Sequence, residues 1–159
     1  MTAIHLRNAA YHEAGHAIVA WRLGLTILRL RIGTGGDPGK GGADIERKAD
    51  LSLIDQIAIC YGGIAGQDML DLEAHPESGM MDQYMVSQLL GEDREDREDG
   101  LALQDAGYER ARALLEPHRD TLDLVASALM SALALDQPAI EGLLAQLIKD
   151  WQSDDSRAE

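Results

Sequence analysis

Two histidines four residues apart, with a glutamate directly after the first, restrict this chain more than any other feature. They lie in residues 11–21, YHEAGHAIVAW, which are predominantly apolar and predict a helix. Positions i and i+4 of an α-helix share one face, so His12 and His16 point at the same place. Zinc accepts neutral imidazole nitrogens at about 2.0–2.1 Å. The stretch therefore predicts a helix that carries two metal ligands.

The glutamate of the HEAGH motif has a separate predicted role. Glu13 lies about 100° around the helix from His12, which places it beside the metal rather than on it. There it can accept a proton from a water whose pKa zinc lowers towards about 7. Gly15 costs the helix about 1 kcal/mol relative to Ala, which indicates that another group approaches the helix backbone closely. The alternative, an all-helical interaction module with solvated or core histidines, requires the motif to be accidental.

Two histidines do not complete a catalytic zinc site, which uses three protein ligands and keeps one position open. The longer pattern HExxHxxGxxH is absent, because Val19 and Arg22 occupy the positions of its Gly and third His. The third ligand must then come from further along the chain. Spacing alone leaves six candidates open: Asp68, Asp71, Glu73, His75, Glu77 and Asp82.

The fold class follows from the residues available for a core. The chain has no Phe and 4% aromatic residues, so its core must be built from Leu, Ile, Ala, Val and Met, which favours helices. We expect a mainly α (α+β) fold in one domain over residues 1–151, followed by a disordered tail over residues 152–159. The predicted helices cover residues 5–23, 50–72 and 79–90, two segments separated near Pro117, and a last helix from Asp136 to Trp151. The small β element comprises residues 25–33 and 43–46.

Particular residues predict the ends of these elements and the loop between the strands. Gly24 is expected to end the first helix, and Ser52 with Asp55 to cap the second. The stretch TGGDPGKGG is expected to be a connecting loop. It is not a P-loop, because Gly41 follows Lys40 where Ser or Thr is needed, and the dinucleotide-binding pattern of glycines fails at Pro38.

The charge and the cysteine content limit which partners the protein can bind and which cellular compartment it fits. The formal net charge is −14, with the acidic excess after residue 50, so we expect no binding to nucleic acid or to anionic membranes. The densest acidic run, EDREDRED at residues 92–99, is expected to be a solvated loop. No apolar run approaches the roughly 18–20 residues of a membrane span. The single cysteine, Cys60, is expected in the core and fits a reducing compartment, so we expect a cytoplasmic protein.

Five segments in the same order resemble the peptidase domain of the FtsH-type ATP-dependent zinc metallopeptidases. HEAGHAIVA is similar to that family's active-site helix, and LRLRIGTGG to its strand and glycine-containing turn. QIAICYGGIAGQDML resembles the helix that carries a Gly-Gly pair, and ESGMMDQYMVSQLL the segment that carries the third zinc ligand. The segment from YERARALLEPHRD to EGLLAQL, residues 108–147, resembles the closing helical region.

The resemblance implies a zincin-like helical peptidase domain with zinc as its cofactor. It implies that His12, His16 and Asp82 are the metal ligands and that Glu13 is the general base. His75 and Glu77 are the reserve candidates for the third ligand. Two readings of Asp68 stay open, namely a hydrogen-bond partner of a ligand histidine or a surface acid. Met80, Met81 and Met85, close to Asp82 in sequence, are expected to fill the core.

The ATPase module and transmembrane segments of that family have no counterpart in this sequence. We therefore expect the substrate to be a peptide or a flexible protein segment, with a separate delivery or ATPase protein as a partner. Residues 26–32 are expected to pair with the substrate as an added strand. The alternative from another functional class is a catalytically inactive zinc-binding adaptor or interaction protein derived from the same fold.

Overall fold

The structure, a computed structural model, describes residues 2–72, 75–91 and 97–155. This part of the chain forms six helices and a small antiparallel sheet, which confirms the expected mainly helical α+β class. The elements are α1 (Thr2–Arg22), β1 (Ile27–Ile32), β2 (Gly41–Ile45), α2 (Leu53–Asp68), α3 (Pro76–Leu90), α4 (Glu98–Leu115), α5 (Arg119–Ala132), β3 (Ala134–Asp136) and α6 (Gln137–Asp155).

Helix α1 is the central element of the fold. Residues 9–20 are all buried, and the helix packs against α2, α5 and the sheet. A helix that is apolar on every side is stable only when other elements cover every side. The helix ends as predicted, with Gly24 at φ 83° and the amide of Leu25 donating to the carbonyl of Ala20 at 3.0 Å. The motif residues therefore sit in the interior of the protein.

Helices α1 and α2 cross at glycines, which explains the glycine inside the motif. A methyl group on Gly15 would overlap the carbonyl oxygen of Gly62 and lie 3.3 Å from the Cα atom of Gly63. A methyl group on Gly62 would in turn lie 2.9 Å from the carbonyl oxygen of Gly15. These are backbone atoms, which cannot move away independently. The close approach expected from Gly15 is thus the contact between the two helices.

The sheet has the order β2-β1-β3, and both pairings are antiparallel. Leu30 of β1 pairs with Ala43 on one side and with Leu135 on the other. The two predicted strands are present with shifted ends, and β3 was not predicted because three residues carry no periodicity. Since β1 is the middle strand, the prediction that residues 26–32 add a substrate strand is wrong. In the described part of the chain, β2 and β3 are the two edge strands of this sheet.

The caps of the remaining helices follow local side-chain chemistry. Ser52 accepts from the amide of Asp55 at 3.1 Å, and Asp136 accepts from the amide of Ala139 at 3.1 Å, which confirms both caps. Helix α3 begins three residues before its predicted start, because His75 serves as its cap and Pro76 occupies its first turn. A 3₁₀ turn at Glu116–His118 separates α4 from α5, which confirms the break near Pro117.

The predicted tail and acidic loop are only partly described. Helix α6 continues to Asp155, so residues 152–155 are helical rather than disordered, and residues 156–159 lie outside the described part. Residues 92–96 of the acidic run also lie outside it, whereas Glu98 and Asp99 form the first turn of α4. Acidic side chains are favourable there because the helix N-terminus carries partial positive charge. None of the helices that the structure describes is long and apolar enough to cross a bilayer.

The methionines near Asp82 are exposed, so their predicted role as core residues is wrong. The exposed fractions are 71% for Met80, 60% for Met81 and 47% for Met85, and Tyr84 beside them is 56% exposed. Helix α3 buries only Val86 and Leu90 among its own residues, because a narrow face of the helix meets the core. Met80, Met81, Tyr84 and Met85 form one exposed apolar surface, here named the α3 stripe.

Candidate metal centre

Three of the predicted site residues converge at one point. His12 and His16 come from α1 and Asp82 from α3, and all three are buried or nearly so. The Nε2 atom of His12 lies 2.9 Å from Asp82 Oδ2, and that of His16 lies 3.4 Å from the same oxygen. The two Nε2 atoms are 3.1 Å apart. The three atoms form a nearly equilateral triangle.

The spacing of this triangle fits tetrahedral zinc. With bonds of about 2.0–2.2 Å, neighbouring ligand atoms of a tetrahedral site are about 3.3–3.6 Å apart. The observed separations of 2.9–3.4 Å are close to that range. Two imidazole nitrogens and one carboxylate oxygen also match the donor types that zinc takes in catalytic sites. The residues present therefore fit the metal that the sequence predicts.

The hydrogen bonds behind the rings fix which nitrogen of each histidine faces the centre. Gln67 donates its side-chain amide to the carbonyl of Asn8 at 2.9 Å, which turns Gln67 Oε1 towards His12. The Nδ1 atom of His12 donates to this oxygen at 2.9 Å. The Nδ1 atom of His16 donates to the carbonyl of Ile59 at 2.7 Å. In the neutral rings, both Nε2 atoms then carry lone pairs directed at the centre.

Three electron-rich atoms thus face one another in a buried place. Asp82 Oδ2 is buried, and no donor among the described residues meets it with hydrogen-bond geometry. Two lone pairs and a carboxylate oxygen at these distances repel each other unless a positive charge lies between them. The arrangement therefore requires a cation, either a proton or a metal ion.

The acid–base properties of the metal-free centre agree with this requirement. Burial alone would lower the pKa of His16, but Asp82 and Glu13 raise it to about 9. Burial alone would raise the pKa of Asp82, but the positive charge of His16 and contacts with His12 lower it to about 2. Without metal, the centre holds a proton and the carboxylate stays ionised. A metal ion bound at the same place has to displace that proton.

Glu13 is buried beside the triangle and is suited to proton transfer. It is 4% exposed, and burial raises the pKa of its carboxyl above the usual range, with Asp82 adding to the effect. Gly41 of β2 makes room for it, since a methyl group there would lie 2.8 Å from Glu13 Oε1. A carboxylate with a raised pKa accepts a proton more readily near neutral pH.

The centre lies at the floor of a cleft of about 390 Å³ between β2 and α3. His12, Glu13 and His16 contribute from α1, and Asp82 from α3. The rest of the described lining comes from the loop before β2, from β2 itself, from α2 and from α3. These residues are Thr34, Lys40, Gly41, Gly42, Ala43, Ile45, Ile59, Cys60, Glu77, Ser78 and Met81. Residues of β2 and of the first turns of α3 thus line the same open site.

The other described candidates for the third ligand make different contacts. Asp68 is exposed and accepts a hydrogen bond from Tyr108, so of the two alternatives for this residue the surface acid is confirmed and the contact with a ligand histidine is not. His75 caps α3 and faces Asp37. Glu77 lines the cleft but pairs with Lys40 at 2.6 Å. Asp71 ends the turn after α2 with a positive φ of 52°, and Glu73 lies outside the described residues.

Sequence reasoning missed three residues that shape the centre. Gln67 orients His12, and Gly63 makes room for it, since a methyl group at Gly63 would lie 2.5–2.7 Å from the ring. These two residues are four apart on α2, so their shared helix face was a signal that the sequence contained. Cys60 packs partly against the core but also lines the cleft, which the prediction of a core residue did not include.

Comparison with protein-family models and with curated protein sequences finds no match to this chain.

Proposed function

We propose that this chain is a zinc metallopeptidase, with a zincin-like helical domain, that hydrolyses peptide bonds in flexible polypeptide segments. The observation that carries the proposal is the convergence of His12 Nε2, His16 Nε2 and Asp82 Oδ2 on one point, with buried Glu13 beside them. The order of the sequence segments that resemble FtsH-type peptidases supports the same assignment.

Each residue of the site has a separate role in the proposed hydrolysis. His12, His16 and Asp82 would hold the ion, and Gln67 and Ile59 keep the two rings oriented. When bound, zinc supplies a Lewis acid that polarises the substrate carbonyl and lowers the pKa of water. Glu13 accepts the proton of the attacking water and passes it to the leaving amine. The surrounding apolar packing keeps Glu13 in a low-dielectric place, where its raised pKa suits both transfers.

The free edge of β2 is the proposed support for the substrate backbone. Four residues of β2 line the cleft, and in the described chain the outer backbone groups of this strand pair with no other strand. An extended peptide can add to such an edge through main-chain hydrogen bonds. Gly41 and Gly42 leave the wall without side chains next to Glu13. This replaces the substrate position that the sequence predicted on residues 26–32.

A non-catalytic zinc-binding adaptor is the second candidate, because one observation favours it. The α3 stripe exposes four large apolar side chains next to the cleft, and such surfaces mark interaction sites. A buried carboxylate beside the ligands, by contrast, gives a purely structural zinc site no advantage. Partners that deliver substrate, including a separate ATPase, belong to the peptidase proposal as expected partners.

Replacement of the general base tests the proposal. We expect the zinc-loaded wild-type chain to cleave an unfolded protein substrate, and Glu13→Gln to lower the rate by about 10²–10⁴-fold while zinc content is unchanged. Cleavage is measured by mass spectrometry of the products, and zinc by elemental analysis. Equal rates for the two proteins would contradict the role of Glu13. No cleavage by either zinc-loaded protein would favour the adaptor.

A further inference from the structure

The two ends of the cleft differ in chemistry because β2 runs along it. Strand β1 returns along α1, with Gly33 next to Leu6, and β2 is antiparallel to β1. The cleft therefore has a Gly41 end, beside Glu13, and an Ile45 end, towards the C-terminus of α1. Four residues of strand span about 13 Å, and His16, three residues after Glu13 on α1, lies in the direction of the Ile45 end.

The Gly41 end is charged. Lys40, which precedes the strand, pairs with Glu77 of α3 at 2.6 Å, and both side chains line the cleft. Glu13 packs against Gly41 at the same end. A substrate side chain placed here meets charged groups and solvent.

The Ile45 end is apolar. Ile45 of β2 lines the cleft together with Ile59 and Cys60 of α2, and all three are half-buried against the core. The carbonyl of Ile59 accepts the hydrogen bond from His16, so this apolar wall begins directly at a metal ligand. Every charged side chain in the described lining belongs to the floor or to the Gly41 end.

We infer that Ile45, Ile59 and Cys60 form a subsite that takes an apolar side chain on the N-terminal side of the cleaved bond. A peptide added to β2 in the antiparallel sense, which is the commoner and more stable pairing, runs from the Ile45 end to the Gly41 end. Its residues before the cleaved bond then lie at the apolar end. A charged side chain there would lose its hydration without gaining a partner. Because this subsite belongs to the peptidase cleft, it rests on the proposed function.

The single cysteine makes the subsite measurable without catalysis. The zinc-loaded Glu13→Gln chain is mixed with glycine–serine peptides that each carry one larger residue, either Leu or Asp, and the rate of Cys60 alkylation by iodoacetamide is followed. The peptide can shift along β2 until its one large residue reaches the subsite, so the position of cleavage in the peptide need not be known. We expect saturating Leu peptide to slow alkylation at least tenfold and Asp peptide to leave it nearly unchanged. Equal protection by both peptides, or by neither, overturns the subsite.

A cleavage map of an unfolded protein tests the orientation. With the wild-type chain, we expect Leu, Ile, Val and Met to be enriched on the N-terminal side of the cut bonds, and Ile45→Lys to shift the preference towards Asp and Glu. Enrichment on the C-terminal side overturns the orientation. Absence of cleavage counts against the proposed function, whereas the alkylation result stands independently of it. If Ile45→Lys fails to fold, the wild-type map and the alkylation rates still decide the inference.

Discussion

At the scale of single residues, the centre depends on side chains that are not themselves candidate metal ligands. Gln67 is 2% exposed and connects the carbonyl of Asn8 to His12 through its amide group. This fixes the proton of His12 on Nδ1 and leaves Nε2 free for a metal ion. Gln67 therefore acts as a positioning residue.

Removal of this amide should weaken metal binding without removing a ligand. We expect Gln67→Leu to lower zinc affinity by about 10–100-fold, because the Nδ1 proton of His12 loses its acceptor and the ring is no longer oriented. Asp68→Asn is the matched control: it changes the neighbouring residue, whose carboxylate contacts Tyr108 instead, and should leave affinity unchanged. Competition with a zinc-binding dye measures both. A larger loss of zinc affinity for Asp68→Asn than for Gln67→Leu would contradict the role of Gln67 as the positioning residue.

The sequence predicted the residues of the site whose spacing is fixed by one helix. His12, Glu13 and His16 follow from the HEAGH motif alone, since their relative positions need no tertiary contact. Asp82 needed the resemblance to a family, because spacing along the chain does not say which acidic residue of α3 faces α1. Gln67 was missed in favour of its neighbour, since an acid is the commoner partner expected for a ligand histidine.

At the scale of elements, the crossing of α1 and α2 sets the position of both histidines. Gly15 meets the backbone of Gly62 and Gly63, and one turn away the carbonyl of Ile59 meets the ring of His16. The helices cannot separate without breaking this hydrogen bond. Stability and the geometry of the centre therefore depend on the same contact.

A methyl group at the crossing of α1 and α2 should lower the stability of the fold. We expect Gly15→Ala to lower the free energy of unfolding by about 1–3 kcal/mol or more, despite the better helix propensity of Ala, because the methyl group meets backbone that cannot yield. Gly142→Ala in α6 is the matched control. Nothing lies within 4 Å of its added methyl group, so it should stabilise by about 0.5–1 kcal/mol. Urea denaturation measures the free energy of unfolding of both variants. An unchanged free energy of unfolding for Gly15→Ala would contradict the close approach of α1 and α2 at this residue.

The elements missed by the sequence are those decided by tertiary contacts. Strand β3 exists because Ala134–Asp136 meet an unpaired edge of β1, which no local pattern of three residues can indicate. Met80, Met81 and Met85 are predicted in the core because apolar residues are usually buried, yet the amount of neighbouring protein determines how much of a helix is covered. The long helices, with strong patterns and clear caps, were predictable.

At the scale of the whole molecule, the buried centre should make stability depend on pH and on metal. In the metal-free protein, the pKa of His16 rises from 6.5 to about 9, so its stabilisation is complete below pH 6.5 and is lost as pH rises through about 9. The pKa of Asp82 falls from 3.8 to about 2, so its stabilisation is present above pH 3.8 and is lost as pH falls through about 2. The raised pKa of Glu13 adds to the loss at higher pH.

We therefore expect the chelator-treated protein to be most stable in mildly acidic solution, at about pH 4–6.5, and to lose stability towards pH 9. With zinc present, the ion replaces the proton, so the loss above pH 6.5 should be largely abolished. Thermal unfolding from pH 4 to 9, with and without zinc, measures this difference. Identical profiles under the two conditions would contradict a metal site at the centre.

Zinc content is the measurement that tests the central claim most directly. Elemental analysis of protein purified without chelator compares the wild-type chain with Asp82→Ala and with Glu77→Ala, which changes a nearby acid of the same helix that pairs with Lys40 instead. We predict about one zinc ion per chain for the wild type and Glu77→Ala, and a marked loss for Asp82→Ala. A wild-type chain that takes up no zinc, or an Asp82→Ala chain that keeps it fully, would contradict the account.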